Sequence, residues 1–365
     1  MDNSLRNGCP NTKAAGAKSP DYGTFAIEVA LTFTARGERK MDGLATLPAR
    51  AVTRFRRSWG AHSFERTARD VLDTAPLRVA GDTPLFVSML PRRDLVPYLV
   101  AIKSLYAEVK QGRVAVINER SVVDHNSLTD EDLAVLRHHV PGIEIIDFCA
   151  ISTGRCPRGG TWERLVKIIE LTKENYVIQV DADTLVSGPI PEVLDCVQAN
   201  RSFILGTDVG LAVSPAPQTA RMAQGWIETF GWTQPVICVA AEAALDRLPN
   251  AARKSYVHAS SGFGGFARGA FSADDLEWFS LHMSKLIGPQ IWNNKWGSEQ
   301  IGSNYTLANA PGAKVLPFPR FACFEPHTPP GNPAFMHYIG TYRHNNGVYR
   351  NRVAEFIRRY NELNT

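Results

Sequence analysis

Hydrophobic positions follow a regular pattern from about residue 83 onward, in which short apolar runs alternate with apolar residues at helical spacing. The short runs predict strands over residues 85–90, 114–117, 143–146, 176–180 and 202–205. The spaced residues predict helices over residues 95–106, 129–136, 162–169 and 190–197. Strands that alternate with helices indicate an α/β fold with a mostly parallel sheet and helices on both of its faces.

The pattern ends in a terminal helix and weakens in one internal segment. Residues 346–365 predict a C-terminal helix whose buried face is Val348, Val353, Phe356, Ile357 and Tyr360. Residues 210–258 show mixed, irregular surroundings, and we interpret them as an insertion beside a ligand site. The glycine-rich run at 260–266 then allows the backbone to pass close to a ligand.

The N-terminal part of the chain precedes this pattern. Residues 1–23 predict a disordered tail and residues 24–82 a basic extension. Arginine and lysine outnumber acidic residues over 36–70, so this part could contact an anionic membrane surface. We favour the alternative that it packs a few apolar residues on the main domain.

Composition adds few constraints. A hydrophobic fraction of 44% and a net charge of +4 are typical of a globular protein and give no indication of a nucleic-acid partner. The apolar run around residues 25–33 is too short to cross a bilayer. The six cysteines form no Cys-x-x-Cys pair, which favours free thiols and a cytoplasmic location: Cys9, Cys149, Cys156, Cys196, Cys238 and Cys323.

The most informative stretch is Tyr176–Val186, where an apolar run ends in two carboxylates. Asp181 and Asp183 follow the fourth predicted strand, at the sheet edge where open α/β proteins bind ligands. Side chains two residues apart in extended backbone point the same way, so both carboxylates could bind one hard cation. The alternative is a polar strand end with both side chains in solvent or capping the next turn.

Four separated stretches together resemble one enzyme family. They are Thr161–Leu165 leading to Asp181–Val186, the turn Ser260–Gly262, Gly297–Gln300 with Asn304, and His337–Arg343. Their order and chemistry resemble the metal-dependent, retaining nucleotide-sugar transferases of the GT-A fold, specifically glycosyltransferase family 8, which includes glycogenin and bacterial lipopolysaccharide galactosyl- and glucosyltransferases. The resemblance covers about residues 83–345 and implies a GT-A domain with a Rossmann-like, mostly parallel sheet.

The resemblance implies roles for individual residues. The ion, Mn²⁺ or Mg²⁺, would be held by Asp181, Asp183 and His337. The nucleotide sugar would be bound by Ser88, Arg164, Asp181, Ser261, Gly262, Gly340 and Arg343. Gln300 and Glu299 would lie near the anomeric carbon, where Gln300 stabilises an oxocarbenium-like state if configuration is retained. In an inverting reaction, Glu299 would instead be the general base.

The sequence departs from the family pattern at several positions. Arg164 and Arg343 replace lysine, which gives planar, bidentate groups for diphosphate. Glu299 and Ser260 replace the commoner Asp and Asn, and Met89–Leu90 stands where the family has a polar pair.

The resemblance implies transfer of a hexose, with a UDP-sugar as donor and an unidentified carbohydrate, lipid or protein as acceptor. Two other classes remain open. A haloacid-dehalogenase-type phosphatase would use Asp181 as its nucleophile, but it needs a later strand ending in paired acids, and Asp274–Asp275 instead opens a predicted helix. A non-catalytic protein that binds nucleotide sugars would show the same residues without turnover.

Overall fold

A computed structural model of the chain describes residues 59–118, 127–293, 297–325, 328 and 331–364. The predicted disordered tail and the first part of the basic extension, residues 24–58, lie outside the described residues.

The strands run in chain order as β1 Leu85–Leu90, β2 Arg113–Asn118, β3 Glu144–Asp147, β4 Val177–Val180, β5 Thr184–Val186, β6 Phe203–Gly206, β7 Ser214–Pro215, β8 Ser255–Tyr256, β9 Ala259–Phe266, β10 Lys314–Val315, β11 Phe321–Cys323 and β12 Phe335–His337. The helices are α1 Leu95–Val109, α2 Asp130–His139, α3 Trp162–Leu171, α4 Pro191–Gln198, α5 Ala216–Phe230, α6 Ile237–Glu242, α7 Ala273–Ile287, α8 Pro289–Trp292, α9 Ser298–Ala308 and α10 Val348–Asn364.

Seven strands form the central sheet, in the order β10-β6-β9-β4-β1-β2-β3. Each neighbouring pair is parallel except the two that involve β9, which runs antiparallel to β4 and to β6. The predicted α/β class with a mostly parallel sheet is therefore confirmed. Because β9 is reversed, its first residues lie at the edge where the parallel strands end.

Apolar side chains cover both faces of this sheet. Along β1, Phe86 packs into one core with helices α1, α2, α4 and α10, and Val87 packs into a second core with α3 and α5 to α9. Residues buried on both faces explain why the strands are continuous apolar runs rather than alternating ones. The predicted N-cap of α2 is also present, since Thr129 and Asp132 form a reciprocal capping box.

The segment 210–258 is not irregular, because it contains α5 and α6. Helix α5 begins beside two prolines, Pro215 and Pro217, which are compatible with the first turn of a helix because its N–H groups have no partner within the helix. Its buried face consists of the small residues Ala216, Thr219, Ala220 and Ala223. Small side chains give a weak hydrophobic periodicity, which explains the missed helix.

A second sheet of three strands, in the order β11-β12-β5, lies next to the carboxyl edge of the central sheet. Strand β12 is antiparallel to β5 and places His337 opposite Thr184. Since β5 directly follows Asp183, this pairing brings Asp183 next to His337, which lies 154 positions later in the sequence.

The described end of the basic extension packs on the main domain. Residues 59–68 are helical, and Phe64 and Ala68 are buried. The ring of Phe64 stacks on Tyr349 of α10 with centroids 4.4 Å apart, whereas Trp59 is 65% exposed.

None of the helices within the described ranges is both long and apolar enough to span a bilayer. Free thiols are present at Cys156, Cys196, Cys238 and Cys323. Cys149 is disulfide-bonded, so the expectation of a free thiol is wrong at that position.

Candidate metal centre

Asp181, Asp183 and His337 meet at the carboxyl edge of the central sheet. One ligand atom from each lies within 4.8 Å of the others. The end of β4 is fixed on both sides, because Ser88 Oγ donates to the carbonyl of Val180 at 2.6 Å and the Asp181 amide donates to the carbonyl of Gly262 at 2.9 Å. The two carboxylates therefore follow a strand end that is held by hydrogen bonds with both neighbouring strands.

The imidazole of His337 is oriented by its other neighbours. Its Nε2 lies 3.1 Å from Asp183 Oδ1 and 3.7 Å from Asp181 Oδ2, while its Nδ1 lies 3.0 Å from Ser260 Oγ. The same Oγ accepts a hydrogen bond from the Gly262 amide at 3.2 Å. We assign the Nδ1 proton to the bond with Ser260, which turns Nε2 toward the carboxylates. Nε2 donates to Asp183 in the absence of an ion, and a divalent ion would take the place of that proton.

Gly262 makes room for this ring. A Cβ built at position 262 would overlap Cε1 and Nδ1 of His337. The main chain of β9 therefore lies directly against the candidate ligand, and glycine is required there for space rather than for a special backbone conformation.

The charges at this centre stabilise one another. Burial would raise the pKa of Asp183, but Arg343 and His337 hold that pKa below its usual range. Burial would lower the pKa of His337, but its contacts with Asp183 raise the pKa to about 10. At this site the attractions between opposite charges together outweigh the effect of burial on both pKa values.

Two guanidinium groups flank the carboxylates. Arg164 donates to Asp181 Oδ1, and Arg343 donates to Asp183 Oδ2. Arg164 is buried, and its Nε has no hydrogen-bond partner among the described residues. Arg343 is also 3.7 Å from the carboxylate of Asp94, whose pKa is raised by burial.

Glu299, the second residue of α9, also contacts Arg164. Its carboxylate lies 3.5 Å from Arg164 Nη2, 3.0 Å from Thr161 Oγ1 and 3.3 Å from Ser261 Oγ. Burial raises the pKa of Glu299, and the charge of Arg164 opposes that effect. Gln300 follows it in the same turn and is half-buried.

The structure thus brings most of the sequence-predicted site residues to one edge: Arg164, Asp181, Asp183, Ser261, Gly262, Glu299, His337 and Arg343. Gly340 opens the short 3₁₀ turn that leads to Arg343. Ser88, which was also predicted to bind the nucleotide, is buried inside the sheet. Its hydroxyl donates to the carbonyl of Val180 and so anchors β4.

Sequence reasoning missed several neighbours of the site. Asp94 follows the first strand, a position that could have marked it as a residue of the carboxyl edge. Thr161 begins the identified stretch Thr161–Leu165, but no role was assigned to it, and its contact with Glu299 spans 138 positions. An ion pair links the buried Glu242 to the half-buried His258. Glu242 lies on α6, a helix that was not predicted, and His258 immediately precedes β9, so no spacing in the sequence indicates the pair.

The residues present fit a divalent ion. Two carboxylates and an imidazole are a donor set compatible with Mn²⁺, Mg²⁺ and similar ions. The hydrogen bond from His337 to Ser260 supplies the outer support that such ligands need. Three protein ligands also leave coordination positions for oxygens of a substrate.

No family model matches the sequence. No curated protein matches it. Among solved structures, the chain is similar to the galactosyltransferase LgtC in complex with donor and acceptor sugar analogues, at 14% identity over 75% of this chain and 95% of that one, with a TM-score of 0.44. It is also similar to mouse xyloside xylosyltransferase 1, at 13% identity over 72% and 99% of the two chains, with a TM-score of 0.42.

A third similar structure is core-mannan synthase A from Aspergillus fumigatus in an Mn/GDP form, at 10% identity over 64% and 72% of the two chains, with a TM-score of 0.35. Identity and TM-score are low in all three, so a function for this chain has to follow from its own site.

Proposed function

We propose that this protein is a metal-dependent GT-A glycosyltransferase, similar to glycosyltransferase family 8, that moves a hexose from a UDP-sugar to a carbohydrate, lipid or protein acceptor. The observation that carries the proposal is the convergence of Asp181, Asp183 and His337, with Arg164 and Arg343 against the carboxylates. This constellation stands at the sheet edge where α/β proteins bind ligands.

The arginines support a diphosphate leaving group. A guanidinium presents a planar fork that binds phosphate oxygens in pairs, and both guanidinium groups adjoin the candidate ion ligands. A divalent ion at the three ligands would add its charge to theirs as the diphosphate departs.

The contacts of Glu299 favour retention of configuration. Both of its carboxylate oxygens already have partners, Arg164 on one and Thr161 and Ser261 on the other, which suits a positioning group better than a general base. In the retaining reaction that we propose, the anomeric carbon loses its bond to the diphosphate oxygen and gains one to the acceptor oxygen. The acceptor proton passes to the departing diphosphate, and Gln300 stabilises the oxocarbenium-like state.

The test is release of nucleoside diphosphate from a panel of nucleotide sugars in the presence of Mn²⁺. We expect slow hydrolysis of at least one donor, lost on chelation and reduced about a hundredfold or more in Asp183→Asn. Asp195→Asn is the matched control, because Asp195 is an exposed residue of α4. Absence of metal-dependent release from every donor would contradict the proposal.

The same assay separates the other two classes. A nucleotide-sugar-binding protein without activity would gain thermal stability from a donor, about 2.7 kcal/mol at a hundred times the dissociation constant, and release no product. A phosphatase would release inorganic phosphate from phosphomonoesters. No observation favours the phosphatase, and Asp274 and Asp275 lie in the first turn of α7, as predicted.

A further inference from the structure

A second group of polar side chains lies beside the candidate metal centre, where β6 ends and β9 begins. Gly206 pairs with Ala259, so Asp208 and His258 leave the sheet together at the carboxyl edge. Thr207 Oγ1 fixes this junction by donating to the carbonyl of His258 at 3.1 Å. His258 is two residues from Ser260, whose hydroxyl contacts His337.

Glu242 of α6 holds the imidazole of His258 in one orientation. Its two carboxylate oxygens lie 2.9 and 3.1 Å from His258 Nδ1, and the Glu242 side chain is only 1% exposed. The other ring nitrogen, Nε2, has no hydrogen-bond partner within the described part of the chain. Since the His258 side chain is 18% exposed, the fixed ring presents one polar nitrogen to a ligand.

Two further carboxylates act on this ring. Burial would lower the pKa of His258, but Glu242, Asp208 and Glu325 raise it. Burial and the charge of Asp208 raise the pKa of Glu325 to about 7. Glu325 lies next to Phe324, whose amide donates to the His337 carbonyl at 2.7 Å, so it also borders the candidate metal centre.

Apolar surface completes the group. The Trp226 ring of α5 meets the imidazole edge-on at 5.9 Å and 85°. Val209 and Leu211, in the loop after β6, are 47% and 60% exposed. An indole and aliphatic side chains beside carboxylates and an imidazole suit a ligand that has both hydroxyl groups and C–H faces.

We propose that Asp208, Trp226, His258 and Glu325 form the acceptor subsite, and that it takes an uncharged, polyhydroxylated sugar. This inference rests on the proposed function, because it names the second substrate of the same site. The acidic side chains of Glu242, Asp208 and Glu325 outnumber the single imidazole, which disfavours a phosphorylated or otherwise anionic acceptor. Glu242 is a positioning residue, since it acts through His258.

The test uses the full chain and the methyl α- and β-glycosides of glucose, galactose and mannose as probes. Saturation-transfer NMR at millimolar concentration reports their binding. We expect at least one glycoside to bind, and its binding to weaken about tenfold or more in Asp208→Asn and in Trp226→Ala. His258→Gln leaves Glu242 buried without its partner and could unfold the protein, so the two variants at less buried positions carry the test.

Trp278→Ala is the matched control. Trp278 of α7 also pairs with a histidine, His282, at 4.3 Å, but outside the proposed subsite, so its removal should leave glycoside binding unchanged. Metal-dependent hydrolysis of the donor is measured on the same samples and should persist in Trp278→Ala.

The two proposals fail in different ways. If no glycoside binds, or if binding is the same in all variants, the acceptor subsite is overturned, whereas donor hydrolysis lost in Asp183→Asn would still support the transferase. If hydrolysis is absent and glycoside binding depends on Asp208 and Trp226, the protein binds sugars at this place and the transferase proposal fails.

Discussion

At the scale of single residues, the candidate metal centre depends on close contact between the backbone of Gly262 and the ring of His337. The ring of His337 lies against the main chain at position 262, and Ser260 of the same strand contacts its Nδ1. The positions that could be predicted from the sequence here are those with local signals, namely the Asp-x-Asp pair after an apolar strand and the histidine followed by Gly340 and Arg343.

Gly262→Ala should weaken ion binding. The added methyl group would displace the His337 ring from the carboxylates, so we expect the dissociation constant for Mn²⁺ to rise and the free energy of unfolding to fall by about 1–3 kcal/mol. Calorimetric titration with Mn²⁺ and urea denaturation measure the two effects. Gly188→Ala is the control, because a Cβ there meets no atom within 4 Å. Full Mn²⁺ affinity in Gly262→Ala would contradict this account of the site.

The contacts that could not be predicted are those between distant residues without a shared motif. The Glu242–His258 pair requires α6 and the start of β9 to meet, and each residue alone resembles an ordinary surface charge in the sequence. The hydroxyl of Ser88, a residue that the resemblance assigned to nucleotide binding, bonds to the neighbouring strand, and this contact also has no local signal in the sequence.

At the scale of elements, prediction succeeded where large apolar side chains set the periodicity. The strands β1, β2, β3, β4 and β6 and the helices α1 to α4 lie within a few residues of the predicted positions. Helix α5 was missed because small residues form its buried face. The short strands β11 and β12 escape prediction for a different reason, since three residues each are too few to show a period.

The terminal helix α10 was predicted from its spacing, and its buried face can be tested with one pair of variants. Phe356 is 5% exposed and Leu363 is 82% exposed on the same helix. Phe356→Ala should lower the free energy of unfolding by about 3–5 kcal/mol, because it removes a large side chain from the core. Leu363→Ala should change it by less than about 0.5 kcal/mol. Equal effects in urea denaturation would show that α10 does not pack as described.

At the scale of the whole molecule, a buried lysine connects the N-terminal segment to the helical layer. Lys103 of α1 donates to Thr74 Oγ1 at 2.6 Å, to the Ala75 carbonyl at 2.7 Å and to His139 Nδ1 at 3.1 Å. Burial lowers the pKa of Lys103 to about 8, so the ammonium is still mostly charged at neutral pH. An ammonium has no acceptor, and therefore His139 must be neutral and accept through Nδ1.

This contact predicts a loss of stability in acid. Burial and the nearby charge of Lys103 lower the pKa of His139 to about 4, below its ordinary value of 6.5. Between these values the unfolded chain takes up a proton that the folded chain does not, so the free energy of unfolding falls as the pH drops from 6.5 to 4. Allowing for solvent screening, we expect His139 to contribute about 1–2 kcal/mol to this fall.

His139→Gln isolates the effect, because its side-chain oxygen can still accept from Lys103 but cannot be protonated. Urea denaturation at neutral pH and at pH values below 6.5 should show a smaller loss in the variant than in the wild type. His344, whose pKa is also lowered to about 4, is present in both proteins and cancels in the comparison. Identical pH dependence in the two proteins would exclude His139 as the group responsible.

The class of the fold could be predicted from the alternation of strands and helices, but the pairing that assembles the site could not. The link between β5 and β12 joins Asp183 to His337 across 154 positions, and only a resemblance of motifs indicated it. Antiparallel pairing of such short strands has no local signature.

Because β9 runs antiparallel to β4 and β6, the chain segment that precedes it can vary while the central sheet stays the same. The segment between the end of β6 and the start of β9, which contains α5 and α6, begins and ends at the carboxyl edge of the central sheet. Strand β9, which follows this segment, places Ser260, Ser261 and Gly262 beside the candidate metal centre. Changes within residues 209–257 would therefore alter the surface beside the candidate metal centre and leave its three candidate ligands in place.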